Sequence, residues 1–233
     1  RIVIRFAPLG VMGLVYSSCT ADGGFSNLLN YVHVIVVLVS TMLIIALVIN
    51  PLIVFATTFK NPFPIVFTSI INSGITAFFT RSSAANIPVN LALCEKLRIP
   101  RESYSISIPL GATINMDGTC VCLSVLSLFY ARICNVTLTG SEIAVLLFMI
   151  FVLSLGAPIA PGTIILCMAT LFNQMGISLE GISFIIGINF ILEMLLGMIN
   201  SMGDVVIALA VAKREGTLNY EICNKPIKKS KRK

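Results

Sequence analysis

Charge is what this chain has least of. Only 11% of its 233 residues are Asp, Glu, Lys or Arg, against about a quarter in soluble domains, while 57% are hydrophobic and the mean hydropathy is +0.97. That deficit excludes a solvated globular domain and puts the chain in a lipid bilayer. Histidine is nearly absent as well. His33 is the one imidazole and reads as a polar residue within a scaffold helix; no Cys/His cluster offers ligands to a transition metal. An intramembrane enzyme would need a nucleophile with an activating base, and neither Ser82 nor Ser83 has a histidine or lysine nearby in sequence. No enzymatic activity is expected. The cysteines at 19, 94, 120, 122, 134, 167 and 223 are scattered, mostly within apolar runs, and read as small buried hydrophobes rather than as a metal or redox pair. The chain begins at Arg1 with neither an initiating methionine nor a signal-peptide cleavage pattern, so it reads as the middle of a longer membrane protein.

What is present is apolar and long. Runs at residues 6–18, 28–59 and 182–212 compare with the roughly 20 residues a helix needs to cross a bilayer. Basic residues collect on cytoplasmic loops, and their placement here implies a topology. With Arg1 and Arg5 inside, residues 21–27 lie outside and the second run returns to Lys60. Lys96, Arg98 and Arg101 again require the cytoplasm, so residues 63–94 must enter and leave on one side as a re-entrant hairpin. Residues 103–130 then exit near Arg132, residues 141–172 form a second interrupted pair, and the last span brings Lys213 and Arg214 inward. Asn135-Val136-Thr137 is a hydrophilic turn. The polybasic tail at residues 225–233 faces the cytoplasm, as a disordered topology signal or as a segment drawn to anionic lipid.

Two interrupted hairpins of opposite orientation make an inverted repeat, and such segments point to a binding site near the midplane. The expected fold is an all-α multi-pass membrane protein with two re-entrant helical hairpins, each followed by a transmembrane helix, partly unwound. Its parts are two helices in residues 1–59, a transport core in residues 60–216 and a basic tail in residues 217–233. The tips are residues 80–88 and 154–163; in the second, Pro158 and Pro161 break the helical ladder while Gly156 and Gly162 permit reversal. Glu193, Leu196, Gly197, Asn200 and Asp204 recur on one helical stripe. Asn115 and Asp117 would point about 200° apart on a regular helix; an unwound segment would turn both, with freed carbonyls, toward one site for a hard cation. Ionisable groups at membrane depth are functional by default. Arg81 alone does not neutralise Asp117, Glu193 and Asp204, and bound cations would supply the difference.

Residues 80–88 and the Asn115-Met116-Asp117-Gly118-Thr119 segment resemble the first-hairpin serine motif and the NMDGT motif of the dicarboxylate/amino acid:cation symporter family, which includes the glutamate transporters. Order and spacing agree over roughly residues 1–216. Residues 81–90 and 93–97 look most like the bacterial sodium/serine-threonine symporters. The resemblance implies a sodium-coupled symporter working by an elevator-like movement. It implies a plasma-membrane location with a cytoplasmic C-terminus, Na+ as the co-transported ion, a homotrimer in the complete protein, and no nucleic-acid partner. It also implies that the backbone at Ser82 and Ser83 and the Asn200 amide hold the substrate carboxylate. Glu193 stands where a family aspartate binds the substrate amino group, helped by the carbonyls of Arg81 and Ala160. Gly111, Asn115, Asn200 and Asp204 match one sodium site, and Thr113, Met116, Ser154, Leu155 and Ala157 match a second. Asn115 and Asp117 match part of a third, completed by helices preceding residue 1.

Leu196 departs from the acidic-amino-acid carriers, which place at that position the arginine that holds a side-chain carboxylate; Gly197 replaces a threonine. A second carboxylate there would be buried without a partner, at a cost of several kcal/mol. The expected substrate is a small neutral amino acid of the serine, threonine or alanine type, with the Thr119 hydroxyl available to a substrate hydroxyl. The alternative is a dicarboxylate or acidic amino acid held by Arg81, and, from another class, a non-transporting remnant or receptor.

Overall fold

The computed structural model describes residues 24–157, 162–177 and 182–223. The apolar run at 6–18, the proline turn at 158–161 and the tail at 225–233 lie outside the described residues. Everything regular among the described residues is helical. Helix α1 (Gly24–Ile44) passes through a π-helical stretch (Ile45–Ile49) into α2 (Asn50–Thr58). Pro51 sits at the start of α2; it has no N–H to donate one turn back, and the wider π turn before it absorbs the lost bond. The first helical pair is α3 (Phe63–Ser69), a π turn (Ile70–Gly74) and α4 (Ile75–Thr80), followed after Arg81 by α5 (Ser83–Lys96). Helices α6 (Arg101–Ile114) and α7 (Asp117–Ile133) form one broken span. The second pair is α8 (Gly140–Leu155) and α9 (Thr163–Met175); α10 (Ile182–Arg214) and the short α11 (Tyr220–Cys223) complete the chain.

Among the described residues, four segments are long and apolar enough to cross a membrane: Val32–Thr58, Phe63–Thr80, Arg101–Ile133 and Ile191–Arg214. Their outward faces carry exposed Leu52, Phe55, Phe79 and Ile106. Contiguous apolar exteriors of this kind suit lipid rather than water, and the chain is an all-α integral membrane protein.

Helix α10 is the axis of the bundle, packing against α2, α4, α5, α6, α7 and α9. Its residues from Ile199 to Val206 are all buried. The first pair begins and ends at one end of this axis. Tyr220 donates its hydroxyl to the Asn61 carbonyl, Ser103 Oγ donates to Glu215 Oε2 at 2.5 Å, and Cys223 Sγ lies 3.9 Å from the Arg98 carbonyl. The segments around Lys60, Arg98 and Lys213 are thereby gathered together, as the charge pattern requires. The second pair opens at the other end, where the Tyr130 ring near the end of α7 stacks on Phe172 of α9, centroids 4.6 Å apart.

A polar stitch ties the first pair to the axis. Asn86 Nδ2 donates to Ser73 Oγ at 2.9 Å, Ser73 Oγ donates to Asn90 Oδ1, and Asn90 Nδ2 donates to the Ser201 carbonyl at 2.9 Å. All four residues are buried. In a nearly dry interior such bonds hold because their alternative is an unsatisfied polar group.

Candidate functional site

The Arg81 turn of the first pair and the start of α9 in the second meet at Glu193. Arg81 makes the first turn: it takes a left-handed conformation, φ 54°, and its N–H caps α4 by donating to the Ala77 carbonyl at 2.8 Å. Ser82 then starts α5, its Oγ accepting the Ala85 N–H at 3.3 Å. The second turn ends at Gly162, φ 96°, a conformation costly to any residue with a Cβ. Gly156 has φ −107° and does not need to be glycine on that account. Glu193 Oε1 accepts the Gly162 N–H, and Oε2 lies 3.6 Å from Arg81 Nη1. The side chain of Glu193 is 6% exposed and that of Arg81 24%.

Around this contact is a small cavity lined by Arg81, Ser83, Met116, Thr119, Thr163, Ile164, Glu193, Leu196, Gly197 and Asn200. Ala160 lies outside the described residues. Ser82 borders the cavity through its neighbours rather than lining it. Gly197 is required by packing: a Cβ there would sit 2.8 Å from the Ala77 carbonyl oxygen, so only glycine lets the end of α4 and the Arg81 turn approach α10 this closely. Asn200 faces α7. Its Oδ1 accepts the Gly118 N–H at 2.9 Å and its Nδ2 donates to Thr119 Oγ1 at 3.2 Å, with Met116 Sδ at 3.3 Å. The first of these bonds satisfies one N–H of the first turn of α7, where helical N–H groups lack intrahelical partners.

The break between α6 and α7 falls at Asn115 and Met116 (φ −88°, ψ 76° and φ −111°, ψ 43°). It turns Asn115 toward α10, where Nδ2 lies 3.1 Å from Asp204 Oδ1 and 3.5 Å from the Asn200 carbonyl. A Cβ on Gly111 would come within 2.7 Å of Asp204 Oδ1, so Gly111, Asn115, Asn200 and Asp204 form one oxygen-rich cluster. Asp117 accepts the Gly118 N–H at 3.0 Å and faces Gly203 on the same side of α10. Carboxylate, amide and carbonyl oxygens are the donors a hard monovalent or divalent cation takes. Thr113 is exposed with Oγ1 bonded to the Leu110 carbonyl at 2.6 Å, Leu155 is exposed, and Ser154 is buried with Oγ on the Phe151 carbonyl at 2.8 Å.

Ile164 was not marked by the sequence, and Thr163 only as the last residue of the second tip. They reach the cavity because Gly162 starts α9 beside Glu193, a proximity that no local pattern carries. The Ser73–Asn86–Asn90 network was legible in part, since Asn86 and Asn90 fall one turn apart in an otherwise apolar arm.

The geometry is that of a small, partly polar cavity between the Arg81 turn and the start of α9, beside an oxygen-rich cluster of α6, α7 and α10. A family model described as the sodium:dicarboxylate symporter family matches residues 1–214 of the chain. The chain belongs to this family. Sodium:dicarboxylate symporters are membrane carriers, not enzymes, that couple the movement of dicarboxylates or amino acids to sodium. Membership accounts for the apolar exterior.

Proposed function

We propose that the protein carries a small neutral amino acid together with sodium. Leu196 carries this reading: it is buried, lines the cavity between Glu193 and Asn200, and offers no charge to a second substrate carboxylate. A zwitterion places its ammonium against Glu193 and its carboxylate near the Ser82 and Ser83 backbone, while Thr119 meets a side-chain hydroxyl. Arg81, Gly197 and Asn200 shape the remaining wall, and the Arg81 and Ala160 carbonyls assist the ammonium. Sodium occupies the Gly111, Asn115, Asn200 and Asp204 cluster, with Asp117 contributing to a neighbouring site and Thr113, Met116, Ser154, Leu155 and Ala157 to another under the second turn.

In this reading residues 60–216 are the transport core, the two helical pairs are re-entrant, and the core moves as an elevator within a homotrimer of the full-length protein. The protein resides in the plasma membrane with its C-terminus in the cytoplasm. The serine-threonine branch is favoured by residues 81–90 and 93–97. The test is competition against labelled serine uptake in proteoliposomes of the full-length protein. Alanine, serine and threonine should compete, and aspartate and succinate should not. Leu196→Arg should shift preference toward aspartate by about tenfold or more, because a guanidinium offers the side-chain carboxylate a bidentate partner. A wild type that prefers aspartate or succinate over every neutral amino acid would overturn the assignment.

A further inference from the structure

Glu193 is the group on which the turns of both helical pairs converge. Its Oε1 is committed to the Gly162 N–H. Its Oε2 faces Arg81 at 3.6 Å, inside ion-pair distance, yet this buried oxygen accepts no hydrogen bond from the described residues. The pair is therefore electrostatically matched while the carboxylate keeps unused acceptor capacity on the cavity side. A shorter aspartate would have less reach; the extra methylene lets one carboxylate serve the tip of α9 and the Arg81 turn together. Leu196 and Ile164 supply apolar walls beside it, which lower the local dielectric and sharpen the consequence of any unmatched charge.

We propose that Arg81 and Glu193 act as a specificity-determining couple, in which Glu193 holds the Arg81 guanidinium so that the cavity admits a zwitterion and refuses a substrate with a second carboxylate. This inference rests on the neutral-amino-acid reading and adds its cause. With the two side chains matched, an incoming amino acid brings one positive and one negative group and leaves the cavity balanced. Its ammonium takes the open acceptor position on Glu193 Oε2. A dicarboxylate brings two negative charges and no ammonium. To bind, it must draw Arg81 away from Glu193, stranding a buried carboxylate. Removing the charge of Glu193 takes this counter-charge from Arg81, which a ligand carboxylate can then supply, and removes the acceptor for an ammonium. The same substitution thus weakens one substrate class and admits the other, a reversal that simple damage to the site does not produce.

The experiment compares wild type, Glu193→Gln, Arg81→Gln and the double variant of the full-length protein in saturating sodium. Binding of serine and succinate is read by thermal melting in detergent and by labelled uptake in proteoliposomes. For Glu193→Gln, serine affinity should fall and succinate affinity rise, each by about tenfold or more, as expected for exchanging a buried charge partner. The double variant should lose the succinate gain. Arg81→Gln should gain no succinate affinity, because it removes the cation that a second carboxylate would have to draw away from Glu193. A folded Glu193→Gln protein with no succinate gain, or a gain that survives in the double variant, overturns the proposal. If Glu193→Gln does not fold, Glu193→Ser is read in its place, and the absence of a succinate gain in the folded protein overturns the proposal. A wild type that already prefers succinate removes the neutral-substrate reading and the couple with it, whereas a wild type that prefers serine while Glu193→Gln gains no succinate affinity overturns the couple alone.

Discussion

Gly111 shows how closely the ion cluster is built. Its Cα abuts the Asp204 carboxylate, and the Cβ of an alanine would stand 2.7 Å from Oδ1. Gly111→Ala must therefore push the carboxylate off the Asn115 amide or force α6 away from α10. Overpacking of this kind costs about 1–3 kcal/mol. Serine binding measured across a sodium titration should show sodium affinity weakened by roughly tenfold, since 1.4 kcal/mol is a factor of ten. Unchanged sodium dependence would place the ion elsewhere than beside Asp204. The stripe of Glu193, Leu196, Gly197, Asn200 and Asp204 was legible from spacing, because an α-helix returns to the same face every three to four residues. What Gly197 is for was not: the Ala77 carbonyl that excludes a side chain there comes from a helix more than a hundred residues earlier.

At the scale of elements, the two helical pairs are tied down differently. The first is held by the Ser73, Asn86 and Asn90 side chains against the Ser201 carbonyl. Asn90→Ala would take the Asn90 amide from that carbonyl and the acceptor from the Ser73 hydroxyl, at about 1–3 kcal/mol for a buried group left unsatisfied. The melting temperature of the purified protein should fall accordingly; an unaltered melt would mean water replaces the amide at no cost. The second pair reaches the axis through the Gly162 N–H on Glu193 and through apolar contacts of α9, which suits a lid. A reporter cysteine belongs at Gly156, where φ is −107° and an added Cβ meets nothing within 4 Å, rather than at Gly162 with its φ of 96°. Gly156→Cys should label readily with a membrane-impermeant thiol reagent in the absence of ligand and slowly with sodium and serine present. Equal labelling rates would remove the lid role. The break at Asn115 and Met116 was also legible, since two polar groups two residues apart cannot share a face of a continuous helix.

For the whole molecule the charge balance is the controlling fact. Asp204 is buried and Asp117 half-buried, and their hydrogen-bond partners are the Asn115 amide and the Gly118 N–H rather than basic side chains. A bilayer protein carrying such carboxylates is stabilised by any cation that binds the folded state alone. Replacing sodium by choline should lower the melting temperature of the full-length protein, with a loss of about 2.7 kcal/mol where sodium stands at a hundredfold excess over its Kd. Identical melting in the two salts would show that the carboxylates are held without the ion.

The solvent, the helical class, the order of the spans and the stripe that faces the site were legible in the sequence alone. Those properties follow from composition, from the period of the α-helix and from the side on which basic residues gather, and each is local to a segment of chain. The tertiary structure alone decided which groups touch. It brought Arg81 and Gly162, 81 positions apart, onto the two oxygens of Glu193, and it added Thr163 and Ile164 to the cavity wall. It also made glycine obligatory at 111 and 197 through neighbours distant in the chain. Hydropathy and spacing carry no information about a partner that arrives from the opposite end of the bundle; only the packing of α4, α6 and α9 against α10 supplies it.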